Sequence, residues 1–238
     1  MHDDEYLRAL RAARGQGVRA LDEPAGKKIL KGAGIQVPRS VVVEVGEDLR
    51  MAAAGLEAPF VLKLVAEGIV HKSDIGGVRL NLRTADELEA AAEELYASLR
   101  SRAIAPHAWL VEEMAPRGTE VVVGGTMDPE FGPLLMVGLG GIFVEVLKDV
   151  AFRICPITEM DAREMLEELK GFALLQGARG TAAANLDAIV DVLLRVGGEG
   201  SLLVRGEGEL AEIDINPLIV STSAAVAVDA RFILQERS

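Results

Sequence analysis

The 238-residue sequence predicts an α+β (α/β) protein of two subdomains. Three observations carry that expectation. In the first half, helix-like and strand-like stretches interleave as helix, strand, helix, strand, loop, strand and helix, a unit of about ninety residues, which is a usual domain size. The second half opens on β-branched strands, passes through helices and returns to strands. Half of the residues are apolar, which is ample for a core, yet aromatics make up only 4%, so that core must be mostly Val, Leu, Ile and Ala.

Taken in order, Asp3 to about Arg14 reads as an amphipathic helix with Tyr6, Leu7 and Leu10 on one face, ended by Gly15-Gln16-Gly17. Leu21-Asp22-Glu23-Pro24 starts a second helix with Pro in its first turn. It turns Ile29 and Leu30 inward and Lys27, Lys28 and Lys31 outward, and stops at Gly32-Ala33-Gly34. Val37 to Val43 is a strand by its β-branched content, and Glu47 to Ala54 a short helix. Strands follow at Phe60–Val65 and Val78–Leu82. Thr84 and Glu87 are spaced to satisfy helix-start donors, opening a helix to about Arg100. Further strands are expected at Trp109–Met114, Thr119–Gly124, Pro133–Val137 and Val150–Ile157. Helices are expected from Thr158, at Gly171–Gln176 and at Thr181–Val196. Strands from Glu209 to Asn216 and from Ala225 to Arg231 close the chain. The expected organisation is an N-terminal helix in 1–20, one subdomain in 21–110 and a second in 111–238.

Composition narrows the function. A net charge of −12 argues against wholesale binding of nucleic acid or of an anionic membrane, while leaving room for a local basic pocket. No apolar run is long enough to span a bilayer, and the acidic start MHDDEYLRAL does not fit a secretory signal. The single cysteine, Cys155, lies in an apolar run and reads as a buried structural thiol. A cytoplasmic protein is the expectation.

Two stretches carry chemistry. The first is PFVLKLVAEGIVHKSDIGGV, from Pro59 to Val78. Lys63 interrupts an apolar strand, and a buried ammonium needs a partner. Gly76-Gly77 lets backbone N–H groups approach a ligand closely. Lysine and glycines together point to phosphate, and His71 between them to chemistry on that phosphate. The same residues also fit a snorkelling lysine, a solvated loop histidine and a tight hairpin turn. The second stretch is EIDINP, from Glu212 to Pro217. Strand alternation puts Glu212, Asp214 and Asn216 on one face and Ile213 and Ile215 on the other. Hard oxygens in such a row suit Mg²⁺, and the strand that follows brings in Asp229; the alternative is an exposed acidic edge strand. No Walker-type loop is present and no Gly-x-Gly-x-x-Gly follows a strand, so a nucleotide site here would be of another kind.

Together with VEEMAPRGTEVVVG (111–124), GGIFVEVLKDVAFRICPI (140–157), VDARF (228–232) and the lysine-bearing helix before Gly34-Ile35, these stretches resemble a known family. The chain is similar to the ATP-grasp domain of nucleoside-diphosphate-forming acyl-CoA synthetases. The nearest likeness is to the β subunit of the ADP-forming acetyl-CoA synthetases, with succinyl-CoA synthetase β more distant. The resemblance runs from about Leu21 to Ile233 and implies an ATP-grasp fold with ATP or ADP in the cleft between two subdomains. It implies that Lys63 contacts the nucleotide phosphates, that Gly76, Gly77 and Val78 form the glycine-rich loop over them, and that Glu112 and Ala115 belong to the segment that contacts adenine and opens the hinge. Glu120 would bind the ribose, Asn216 and Asp229 would ligate Mg²⁺, and Asp214 would stand near the active histidine. His71 would be the phosphorylated residue that hands its phosphoryl group to ADP. A neutral imidazole is nucleophilic, and a nearby carboxylate can fix its tautomer. His2 is terminal and His107 lies in a Pro-flanked linker. Arg153 is equally readable as a phosphate ligand or a salt-bridged sheet arginine, and Glu145 is a further candidate for orienting substrate or histidine.

Two departures bear on the expectation. The last metal strand reads Asp229-Ala230-Arg231 rather than the usual ATP-grasp Glu-x-Asn, as in the acyl-CoA synthetase branch. These residues also hold no CoA-binding Rossmann motif or CoA-ligase segment, so thioester chemistry is expected to need a CoA-binding α subunit, in a heterotetramer of two α and two β chains. A non-catalytic nucleotide-binding regulatory module and an ATP-grasp carboxylate ligase are the alternatives.

Overall fold

The computed structural model describes residues 3–66, 72, 75–141, 144, 146–178 and 182–236. It divides into two compact units: residues 1–37 with 116–238, and residues 38–115.

The smaller unit is a four-stranded sheet, β2 (Ser40–Glu44), β5 (Ala108–Glu113), β3 (Phe60–Val65) and β4 (Val78–Leu82) in that spatial order, with all pairs antiparallel. Helices α3 (Leu49–Ala53) and α4 (Ala85–Ser101) accompany it. Val43, Phe60, Leu62, Leu64, Trp109 and Val111 from the strands meet Leu88, Leu95 and Leu99 from α4 in one core. Thr84 caps α4 by accepting the Glu87 N–H at 3.1 Å. The Glu87 carboxylate reaches one residue further back than a capping box would, and accepts the Arg83 N–H at 2.7 Å.

The larger unit is built on a seven-stranded sheet. Its main path runs β1 (Ala20–Leu21), β11 (Arg231–Leu234), β9 (Leu210–Val220), β6 (Thr119–Asp128), β7 (Gly132–Leu139), β8 (Val150–Ile154), and β10 (Ala225–Ala227) pairs with β9. Helices α1 (Asp3–Gly15), α2 (Glu23–Gly32), α5 (Glu159–Glu167), α6 (Phe172–Leu175), α7 (Leu186–Gly197) and α8 (Leu202–Arg205) belong to this unit. Leu135, Val137, Ile213, Ile215 and Phe232 pack with Leu166, Ile189, Leu193 and Leu203 in its core. Tyr6 and Leu10 of α1 join them, and the Tyr6 hydroxyl donates to the Leu202 carbonyl at 2.9 Å.

Several expectations are corrected. The boundaries at 20/21 and 110/111 do not match the compact units. Residues 20–21 pair with β11, and Gln36 bridges to Val226, so everything before Pro38 belongs with the larger unit. Strand β5 pairs with β2 and β3 up to Glu113, so residues 111–115 stay with the smaller one. Lys27, expected on the outer face of α2, is buried beside Glu23. The strand expected from Ala225 to Arg231 is two strands with a break at 228–230. Strand β2 begins at Ser40 rather than Val37, and β8 ends at Ile154, leaving Ile157 in a single bridge to Gly198. Among the described residues no helix is long and apolar enough to cross a membrane.

Candidate functional site

In the smaller unit, β3 is buried along its whole length because it lies between β5 and β4. Phe60, Leu62 and Leu64 point to the α3–α4 core, and side-chain alternation puts Val61, Lys63 and Val65 on the opposite face. Val65 clusters there with Ala108 and Leu110. Lys63 is therefore a cation among apolar neighbours, and its partner is Glu112: Nζ and Oε2 lie 2.9 Å apart, with the side chains 9% and 2% exposed. Register brings them together. Val61 faces Glu112 and Lys63 faces Leu110, so the two charges are diagonal neighbours on adjacent strands. The Glu112 carboxylate, expected at the adenine, is thus engaged with Lys63.

Strand β4 lies on the other side of Lys63, which faces Val78. The Gly77 carbonyl accepts the Leu64 N–H at 2.9 Å, and the Gly77 N–H donates to the Lys72 carbonyl at 2.7 Å. Gly76 has φ +67°, and a Cβ on Gly77 would stand 3.0 Å from the Lys72 carbonyl oxygen, so neither position suits a side chain. Arg79 donates from Nη1 to the carbonyls of Gly76 and Val78 at 2.8 and 3.1 Å, bracing the turn from its own strand. Lys63, Gly76, Gly77 and Val78 are thereby brought together. His71 lies outside the described residues, as does Glu145. Ala115, half-buried, is the last residue of the unit.

In the larger unit, β9 alternates as its sequence predicts: Ile213 and Ile215 are fully buried, while Glu212 and Asp214 are half-buried and Asn216 is exposed. Arg231 stands across from Asp214 and forms an ion pair with Glu212. One member of the acid row is therefore paired with an arginine. The same register holds on both sides of the 228–230 break: Ala227 faces Leu218 before it, and Arg231 faces Asp214 after it. The Val228 N–H donates to the Pro217 carbonyl at 3.1 Å, continuing that register, so the position that falls opposite Asn216 is Asp229. Its Oδ1 accepts the Ala230 N–H at 2.7 Å. Among the described residues no group of three or more His, Cys, Asp or Glu could hold a metal. An amide oxygen and a carboxylate at these register positions are instead donors of the kind Mg²⁺ takes as its one or two protein ligands when phosphates and water fill its remaining positions, so the donor types fit that ion. Glu120, exposed at the start of β6, is closely approached by Gly140, where a Cβ would stand 2.7 Å from the Glu120 Cβ.

Arg153 is a salt-bridged sheet arginine. It donates from both Nη atoms to Glu168 and lies 3.7 Å from Glu164. Hydrogen bonding to Glu168 holds the guanidinium pKa above its usual range, and the Glu168 carboxyl is held low by the same bond. Burial pushes the Cys155 thiol up to about 11, partly offset by a backbone hydrogen bond, so at neutral pH it is an unreactive thiol. Sequence reasoning missed the buried Glu23–Lys27 pair; its readable signal is the acid–base spacing of four with Gly26 between them.

Each unit of this α+β protein thus carries polar groups on a strand: a lysine buried beside a glycine turn in the smaller one, and Asp214 and Asn216 beside the 228–230 break in the larger. Residues 12–234 match the model of the ATP-grasp domain, and the chain belongs to that family. The β subunit of acetate–CoA ligase [ADP-forming] I of Pyrococcus furiosus is 43% identical over 218 residues, covering 91% of this chain and 92% of the relative. The acetate–CoA ligase [ADP-forming] I of Archaeoglobus fulgidus is 42% identical over 89% of this chain, which spans only 30% of that longer protein. Among solved structures, the dinucleotide-forming acetyl-coenzyme A synthetase 1 of Ca. Korarchaeum cryptofilum, in complex with coenzyme A, Ca-AMPCP and HgCl⁺, superposes with a TM-score of 0.90 at 38% identity, covering 95% of this chain and 98% of that one. The same protein with coenzyme A and Mg-AMPPCP has a phosphohistidine segment pointing towards its nucleotide-binding site, and matches at 37% identity with a TM-score of 0.83, covering 97% of this chain and 100% of that one.

Proposed function

We propose that this chain is the β subunit of an ADP-forming acetyl-CoA or acyl-CoA synthetase, a ligase that interconverts acyl-CoA, ADP and phosphate with acid, CoA and ATP. The observation that carries the reading is the buried Lys63–Glu112 pair with Gly76, Gly77 and Val78 registered beside it, on the segment that contains His71. Lys63 and the glycine turn would hold the nucleotide phosphates, the 112–115 segment would take the adenine and Glu120 the ribose. Mg²⁺, bound by Asn216 and Asp229, would neutralise phosphate charge. Asp214, on the same strand face as Asn216, would orient and stabilise the phosphorylated imidazole of His71.

The thioester itself belongs to a CoA-binding α subunit, with two α and two β chains as the proposed assembly. Support comes from the Archaeoglobus relative, in which more than half of a longer polypeptide lies beyond the region matched here. Acyl phosphate formed on the α subunit would phosphorylate a histidine there, and that phosphoryl group would pass to the His71 imidazole. In the last step the Nτ or Nπ–P bond of phospho-His71 breaks as a β-phosphate oxygen of ADP attacks, which forms ATP and returns a neutral histidine.

Incubating the reconstituted complex with labelled phosphate, acyl-CoA and ADP–Mg²⁺ tests this. The wild-type chain acquires acid-labile label and forms ATP; His71→Ala does neither. ATP formed by His71→Ala at the wild-type rate would overturn the relay. Nucleotide binding without any phosphohistidine would point to a regulatory module, and ATP-dependent joining of a carboxylate to an amine without label on the protein would point to a carboxylate ligase.

A further inference from the structure

Helix α2 buries an ion pair that the proposed chemistry does not use. The Lys27 Nζ lies 2.7 Å from the Glu23 Oε1, with the side chains 4% and 1% exposed. Such a pair contributes little stability over apolar residues of similar size, because desolvation of both charges offsets their attraction. Its location gives it another use. Buried positions on α2 include Glu23, Gly26, Lys27 and Leu30, one stripe at helical spacing. Gly26, in the middle of that stripe, meets the chain immediately after Asp229: a Cβ there would stand 3.0 Å from the Ala230 carbonyl oxygen and 3.1 Å from the Phe232 ring.

That chain segment is where the ladder lapses. Strand β10 ends at Ala227 and β11 begins at Arg231. Across 228–230 the backbone is held instead by the Val228 N–H on the Pro217 carbonyl and by Asp229 capping the Ala230 N–H. The break is half-buried at Val228 and Asp229 and buried at Ala230; carbonyls turned away from water need donors, and an ammonium offers three. Glu23 occupies one of the Lys27 donors and fixes the direction of the others.

We infer that Lys27, oriented by Glu23, is a positioning residue for the magnesium site: it holds the 228–230 break in the conformation that sets Asp229 opposite Asn216. The inference rests on the proposed metal role of Asp229. It assigns the stripe a role in metal affinity rather than in stability alone, as outer groups that orient metal ligands have.

The test is calorimetric titration of the intact chain with ADP at a series of Mg²⁺ concentrations, together with hydrogen exchange of the 228–231 amides in the nucleotide-free protein. Lys27→Met keeps the length of the side chain and removes its donors. It is expected to weaken the Mg²⁺ dependence of ADP binding by about 10–100-fold, to leave Mg²⁺-free ADP binding within about twofold, and to speed exchange at 228–231 selectively. Lys27→Arg restores most of the Mg²⁺ dependence. Should Lys27→Met fail to fold, Glu23→Gln, which retains the ammonium and releases its direction, is expected to give a smaller loss of the same kind. A folded variant with unchanged Mg²⁺ dependence, or an equal loss with and without Mg²⁺, overturns the inference. Asp229→Asn separates the two levels: if it leaves Mg²⁺ dependence intact, the metal reading itself fails, and if it abolishes that dependence while Lys27→Met does not, only the positioning role fails.

Discussion

Lys63 illustrates how a single residue can be costly and still be kept. Its ammonium lies on a face that also holds Val65, Ala108 and Leu110, and its salt bridge to Glu112 is almost fully desolvated. The pair is coupled, so the cost of breaking it depends on which partner remains. Lys63→Met leaves a carboxylate buried among apolar groups, and Glu112→Leu leaves an ammonium. Each is expected to lower unfolding stability by about 3–5 kcal/mol. The double variant Lys63→Met/Glu112→Leu removes both charges and is expected to be more stable than either single one, a non-additivity that urea melts of the three variants measure directly. It should fold and yet lose nucleotide affinity, which separates structural tolerance from the need for a cation at that place. A double variant less stable than both singles would mean that the charges anchor the strand in a way the pairing of β3 with β5 does not explain.

At the scale of elements, Asp149 shows what a buried carboxylate does for the fold. Asp149, 3% exposed, accepts the N–H groups of Lys170 and Gly171, both at 2.8 Å. It ties the residue before β8 to the turn that leads into α6. Asp149→Ala removes the acceptor of two part-buried donors and is expected to cost about 1–3 kcal/mol in all, with Asp149→Asn losing less because its amide oxygen still accepts; thermal melts of both variants check the order. Such anchors also mark the limit of what the sequence discloses. Strand β9 was legible because its alternation is local, and the caps at Thr84 and Thr158 because capping spans only four residues. The inward Lys27 was not, since a lysine on an amphipathic helix reads as solvent-facing until its acid partner is known to be buried with it. Nor was the break at 228–230, because Val226, Val228, Phe232 and Ile233 carry the strand pattern across Asp229 and Ala230. Of the candidate site, the residue types on β3, β4 and β9 were readable, whereas the Lys63–Glu112 and Arg231–Glu212 pairings depend on registers between strands far apart in sequence.

The whole molecule is assembled in two ways that chain order conceals. The smaller unit is one continuous segment, 38–115, whose strands pair only with one another and whose core draws on β2, β3, β5, α3 and α4. The larger unit is discontinuous. It needs residues 1–37 to supply β1 against β11, and Tyr6, Leu10, Ile29, Leu30 and Ile35 to its core. Loss of the first 37 residues would therefore empty part of the larger core, whereas excision of 38–115 keeps every strand pair of the smaller sheet. Domains with their own core can fold alone, so a 38–115 fragment is expected to be folded and to melt cooperatively. The only tryptophan, Trp109, is 3% exposed in that core. Its fluorescence therefore reports on this unit alone, both in the fragment and in the intact chain. The fragment should show the blue-shifted emission of a buried indole in buffer and a single red-shifting transition in urea. A 116–238 fragment, lacking β1, α1 and α2, should bind hydrophobic dye and show no cooperative melt, and adding a 1–37 peptide should restore one. If 38–115 instead emits like an exposed tryptophan from the outset, its core is insufficient without the rest of the chain. The two units would then have to be regarded as a single cooperative fold.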